Sequence, residues 1–158
     1  MSWLPIENET LVLPYPADEV FHRLRHSTKP IEPYAPLSAQ EEEDFLFNGV
    51  IKPEGFRLSR KLTRPNSFLP MITGKVAPTS KGCIVFLTYK MFSASLLFIL
   101  FWSVLTLLIA LYFFFYEKVY GYGTIAVLIG GANYTISLLS FKKQVVISSQ
   151  MMKYMLQT

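Results

Sequence analysis

The densest chemistry in this 158-residue chain is a run of cations, "FRLSRKLTRPNSFLP" at 56–70, which sets Arg57, Arg60, Lys61 and Arg64 within eight positions. Lys75 and Lys90 follow in the next two predicted strands. Groups of this type recognise phosphate or carboxylate, arginine through a planar two-pronged fork and lysine as a point charge. Three uses are open to them. They could form a solvated strand face beside the acidic run 41–44, or lie on anionic lipid headgroups at about 1 kcal/mol per Lys or Arg. They could also hold a phosphate-bearing ligand or an acidic protein partner. Arg60 stands apart. Period-two alternation puts Phe56, Leu58 and Leu62 on one face with Arg60 among them, and Arg57, Ser59, Lys61 and Thr63 on the other. A guanidinium on a core face is costly unless paired, so Arg60 must meet a carboxylate, a cluster of carbonyls or a ligand.

A second pattern is Asp18, His22 and His26, at i, i+4 and i+8 of the predicted helix "ADEVFHRLRHSTK". Two histidines four apart can share a metal, as in HExxH. "HRLRH" lacks the internal glutamate, and Arg23 and Arg25 would oppose a divalent ion there. The pattern therefore reads as the polar face of a helix that turns Val20, Phe21 and Leu24 inward. The chain has no Gly-x-Ser-x-Gly, P-loop or Gly-x-Gly-x-x-Gly. With no acid, base and nucleophile set, neither an enzyme nor a bound cofactor or metal is expected. The single cysteine, Cys83, excludes an internal disulfide and reads as a small apolar strand residue.

The elements that carry these residues fall into two kinds. Only 16% of the chain is charged, against roughly 25% in a soluble domain, and the depletion is local. Met91 to Tyr116 and Val119 to Phe141 contain no charged residue, and each exceeds the roughly 20 apolar residues that cross a bilayer. A helix over 92–115 rises about 36 Å, enough to span with some tilt. Two spans, about 92–115 and 120–141, joined by "EKVYGYG", form an antiparallel transmembrane hairpin with Tyr112, Tyr116, Tyr120 and Tyr122 in an aromatic belt. Lys75, Lys81 and Lys90 precede it and Lys142, Lys143 and Lys153 follow it, while the connection has Lys118 alone. That asymmetry predicts an integral protein of the plasma or inner membrane with both termini cytoplasmic. The N-terminal twenty residues show no basic start and apolar run, so no cleavable signal is expected. Small residues let the helices approach closely, within the hairpin or between copies: Ser103, Thr106 and Ala110 on the first, Ala126, Gly130, Gly131 and Ser137 on the second. Asn133 could add an interhelical hydrogen bond. No Asp, Glu, Lys, Arg or His lies in either span, which argues against a proton relay or ion path.

Around the hairpin the charges are segregated: net −6 over 1–51, +7 over 52–90 and +3 over 91–158. Residues 1–90 read as a small domain. "TLVLPYP" is a strand and "ADEVFHRLRHSTK" a helix. Prolines 30, 33 and 36 and three glutamates make a linker over about 30–43. "DFLFNGVIK", "GFRLSRKLT", "MITGKV" and "CIVFLTYK" then alternate as four strands of an antiparallel meander. The tail, 142–158, is expected to be an amphipathic helix with Val145, Met152, Met155 and Leu156 toward the domain. The other reading is a strand at 144–148. The fold class is thus an α+β membrane protein: a small cytoplasmic domain of one helix plus a β-meander, fused to a two-helix transmembrane hairpin and a C-terminal helix. In outline this order resembles the helix-grip arrangement, with fewer strands and no diagnostic motif. The expected partners are membrane lipids, anionic headgroups included, and further copies or a larger membrane-protein complex. A nucleic-acid duplex would be obstructed by the membrane. The expected function is a non-enzymatic subunit or regulator of a membrane assembly. The alternative is an oligomeric sensor-effector whose basic sheet binds an anionic or nucleotide ligand and alters transmembrane packing or permeability.

Overall fold

The computed structural model describes residues 4–30, 45–62 and 66–157. Six strands and three helices are present in it. They are β1 Ile6–Leu13, α1 Ala17–Ser27, β2 Thr28–Pro30, β3 Phe47–Lys52, β4 Gly55–Arg60, β5 Pro70–Thr79, β6 Gly82–Met91, α2 Ser93–Phe115 and α3 Tyr120–Gln157. Most of the linker expected over 30–43 lies outside the described residues, as does Arg64.

The sheet is mixed, in the order β1-β6-β5-β4-β3-β2. The meander is its centre, β3 to β6, and two additions enlarge it. β1 returns to pair antiparallel with β6, from Ile6 against Lys90 to Leu13 against Cys83. β2 pairs parallel with β3, formed by residues that periodicity assigns to the end of α1 and to the linker. The cause is local: Lys29 precedes Pro30, whose ring disfavours helical backbone before it, and Thr28 is already extended at φ −117, ψ 124. The β5–β6 turn needs its glycine. Gly82 has φ +143, and a Cβ there would lie 2.1 Å from the Leu13 carbonyl oxygen.

Alternation gives the sheet one buried face. Leu11, Leu13, Phe47, Phe56, Leu58, Ile72, Val85, Leu87 and Tyr89 point inward, against Val20 and Leu24 of α1 and Phe141, Val145, Met152 and Leu156 of α3. At about 1.5–3 kcal/mol for each fully buried apolar side chain, those four residues of α3 contribute on the order of 10 kcal/mol to the core.

The tail is not a separate helix. α3 runs 38 residues without interruption, about 57 Å. Its first half packs on α2 and its second half closes the sheet. No proline interrupts it, so the 3.6-residue period carries one buried stripe through Ala126, Ser137, Phe141, Val145, Ser148, Met152 and Leu156. At the other junction only Phe92 separates β6 from α2. Both helices are long and apolar enough to cross a membrane, with window hydropathies of 2.6 and 1.5.

Inside the hairpin Ala110 and Ala126 are buried, and a Cβ on Gly130 would stand 2.5 Å from Thr106 Oγ1. Gly131 does not belong to this face; nothing lies within 4 Å of a Cβ placed on it. Asn133 is half-buried beside the stripe and Ser137 is buried in it. The hydroxyls stay within their own helices: Ser103 donates to the Ile99 carbonyl at 2.8 Å and Thr106 to that of Trp102 at 2.9 Å.

Candidate functional site

The cations that sit together in sequence separate in space. Arg60 ends β4 on the inward face, opposite Phe47. Its Nη2 donates to Gln144 Oε1 of α3 at 2.6 Å, and its Nε is buried without a hydrogen-bond partner. Burial draws its pKa below the ordinary arginine value. The partner that the alternation demands is therefore a neutral amide, on the helix that leaves the hairpin. Lys61 lies just past β4, its backbone N–H bonded to the Leu46 carbonyl at 2.9 Å. Lys90 is exposed two residues before Phe92, beside the hairpin.

Arg57 and Lys75 occupy the outward face. Arg57 is flanked by Val50 and Thr73, and Lys75 by Phe86. Gly55, which has no side chain, leaves a shallow depression of 370 Å³ between them, lined also by Lys52, Val50, Thr73 and Glu54. Lys52 joins the cluster although the reading of the basic block omits it. Its signal was legible, because it alternates outward with Val50 at the end of β3. The outward positions of β1 and β3–β6 carry no acid, and Glu54 sits in the β3–β4 turn. Among the described residues, Lys52, Arg57 and Lys75 make no ion pair.

Sequence reasoning missed the other polar cluster, between β1 and α3. Glu9 Oε2 accepts from the Tyr89 hydroxyl at 2.9 Å and the Ser149 hydroxyl at 2.8 Å, while Oε1 lies 2.5 Å from Lys153 Nζ. Glu7 faces Lys142 at 3.9 Å. Burial alone would raise the Glu9 carboxyl; the hydrogen bonds from Lys153, Ser149 and Tyr89 outweigh it and leave the group below its ordinary value. Burial, then the adjacent Glu9 charge, pushes Tyr89 upward. A groove of 460 Å³ runs past these residues. These contacts clamp α3 to β1: three donors from β6 and α3 converge on the one carboxylate. Inward acids on an edge strand also discourage sheet-to-sheet association. The signal was present: Glu7 and Glu9 share the parity of Leu11 and Leu13, and Lys142 and Lys153 are three helical turns apart.

The metal candidates do not converge. Asp18, His22 and His26 are exposed along α1, where Glu19 pairs with Arg23 at 2.8 Å. Among the described residues no three His, Cys, Asp or Glu side chains form a metal set. Cys83 is fully buried at the β1–β6 pairing, and burial raises its thiol.

No protein-family model matches the chain, and no curated protein matches it. Among solved structures, the solution NMR structure of a Polyketide_cyc-like protein from Corynebacterium glutamicum is similar at 11% identity, over 93% of this chain and 93% of that one. The TM-score is 0.32, a level at which neither a shared fold nor a shared activity follows.

Proposed function

We propose that the chain is a non-enzymatic, integral membrane protein, a subunit or regulator of a membrane assembly that works through its cytoplasmic domain. One observation supports this above the others. Only 11% of the apolar window of α2 is buried within the protein, and Leu97, Phe98, Phe101, Leu108 and Phe115 are all more than half exposed. A core helix of a soluble protein would be covered, and an aqueous surface rarely leaves so large an apolar patch open. In this reading Lys90, Lys142 and Lys143 lie at the cytoplasmic boundary, and Tyr112, Tyr116, Tyr120 and Tyr122 lie at the opposite one. The sheet, the clamp and both termini are then cytoplasmic.

The test is labelling from one side of the membrane. Cys83 is fully buried, so it adds little background to Lys118→Cys or Lys143→Cys. An impermeant maleimide should modify Lys118→Cys in intact cells and Lys143→Cys only after permeabilisation. The reverse pattern refutes the orientation, and release of the protein by alkaline carbonate refutes membrane integration. A second reading, the oligomeric sensor-effector, draws support from α3, one unbroken helix that would link ligand binding on the sheet to transmembrane packing. It is abandoned if pyrophosphate and nucleotides leave the unfolding temperature unchanged, since a ligand selective for the native state must raise it.

A further inference from the structure

We infer that the outward face of the sheet is a docking surface for a different protein, one that presents acidic residues around an apolar centre. The inference rests on the proposed role in a membrane assembly and names the surface that serves it. Across that face run Lys52, Arg57, Lys75 and Lys90, with no outward acid among the described strand positions. Phe86, at 48% exposure, stands beside Lys75, and Val50, at 44%, beside Arg57 and Lys52, while Val12, at 75%, lies on the β1 edge past the cations. A sheet face turned to water ordinarily alternates to polar residues; this one has Asn48, Ser59, Thr73 and Thr88 but also sets Phe86 and Val50 directly beside cations. Five strands about 4.8 Å apart and eight residues at about 3.3 Å give a plane of roughly 20 by 25 Å. That plane of about 500 Å² is smaller than the roughly 800 Å² that each partner buries in a standard interface and fits a transient one.

The other occupants fit less well. Phe86, which pairs with Lys75, is four residues along β6 from Lys90, about 13 Å. That exceeds the screening length of about 8 Å at physiological salt, so headgroups that satisfy Lys90 leave Lys75 and Lys52 unexplained. A second copy joined through a two-fold axis would set the same cations against one another. Single-stranded nucleic acid stacks on successive aromatic rings, and Phe86 is the lone aromatic among the described outward positions of the sheet.

The test places a photoreactive amino acid at position 86, and separately at position 128 on the outside of α3, in the full chain in its own membrane. Position 86 should yield one discrete protein adduct whose cross-linked peptide is net acidic. Its yield should fall at least tenfold in Lys52→Glu/Arg57→Glu/Lys75→Glu, fall severalfold in the milder Lys→Gln, Arg→Gln triple, and persist in Lys90→Glu. Unchanged circular dichroism certifies that the variants fold. The inference is overturned by an adduct that survives charge reversal, by one with the mass of a second copy, a lipid or a nucleic acid, or by no adduct at position 86. If position 128 gives a protein adduct while position 86 gives none, the assembly role stands and the docking face falls. If neither position gives a protein adduct, both fall.

Discussion

Removing the amide that meets Arg60 should harm the protein more than removing Arg60 itself. In the native state one guanidinium nitrogen donates to Gln144 at 2.6 Å, and Nε is buried with no partner. A hydrogen bond to a charged group contributes about 1.5–3 kcal/mol, and stripping the partner from this half-buried donor adds part of its desolvation penalty. Gln144→Ala therefore costs about 2–3 kcal/mol, because it leaves the cation with two unmatched nitrogens against Phe47. Arg60→Met keeps an apolar stem of about the same reach as far as Nε, removes the cation and relieves the orphaned Nε. Its cost should stay within about 1 kcal/mol, since replacing a poorly matched buried charge by a hydrophobe of similar volume is often neutral. The double variant should resemble Arg60→Met, giving a coupling energy of about 2–3 kcal/mol, the whole cost of Gln144→Ala. Guanidinium unfolding in detergent micelles, followed by circular dichroism, measures all three against the wild type. A coupling below about 0.5 kcal/mol would show that the contact has no energetic weight. Arg60→Met as damaging as Gln144→Ala would show that the guanidinium has a stronger partner than the amide.

Three further outcomes follow from the geometry. Glu9→Gln should lower stability by about 1–2 kcal/mol at pH 7, from weakened hydrogen bonds to a charge. Because the folded carboxyl titrates below its ordinary value, its contribution is complete above the unfolded pKa of about 4.3 and is lost as pH falls through the folded one. The gap between variant and wild-type melting temperatures should close on acidification, and a constant gap would exclude the charge as its cause. Gly130→Leu should disrupt the hairpin, since even a Cβ there meets Thr106 at 2.5 Å, whereas Gly131→Leu meets nothing within 4 Å. Melting in micelles reads the difference, and equal sensitivity of the two would place a neighbour on the open side. Gly82→Ala should cost more than about 1 kcal/mol through its positive φ and the Leu13 carbonyl, and a silent substitution in the same melts would contradict that turn geometry.

What could be read from the chain was whatever depends on period and local chemistry. Residues 92 to 115 became α2 within one residue, since an uncharged apolar run of that length leaves the backbone no choice but to bond internally. The alternation in β4 also placed Arg60 among Phe56 and Leu58. Its partner was not legible, because Gln144 lies 84 residues away and an amide gives no pattern on its own. β2 was missed for a similar reason: three residues ending in proline carry no alternation, and only the parallel pairing with β3 makes them a strand. The basic block misled by proximity. Alternation sends Arg57 and Arg60 to opposite faces, and Lys52 joins Arg57 from the neighbouring strand. The same alternation marks Glu7 and Glu9 as inward, yet it takes the tertiary fold to bring Lys153 and Ser149 to them.

The order of these elements along the chain constrains how the protein can form. Strands β3 to β6 precede the hairpin, but their inward face is finished by Phe141, Val145, Met152 and Leu156, which follow it. Until α3 returns, Leu58, Ile72, Val85 and Leu87 have α1 alone to cover them, and the core lacks a contribution on the order of 10 kcal/mol. That is comparable to the entire stability of an ordinary domain, about 5–15 kcal/mol. The sheet therefore cannot hold its native packing before both apolar helices are in place. In the membrane reading, insertion of the hairpin precedes completion of the cytoplasmic core. Arg60 with Gln144 and Glu9 with Lys153 then act as the two polar contacts that tell a correctly seated α3 from a slipped one. A shift by one turn moves Gln144 about 5 Å from the guanidinium and displaces Ser149 and Lys153 from Glu9, which keeps only the Tyr89 hydroxyl.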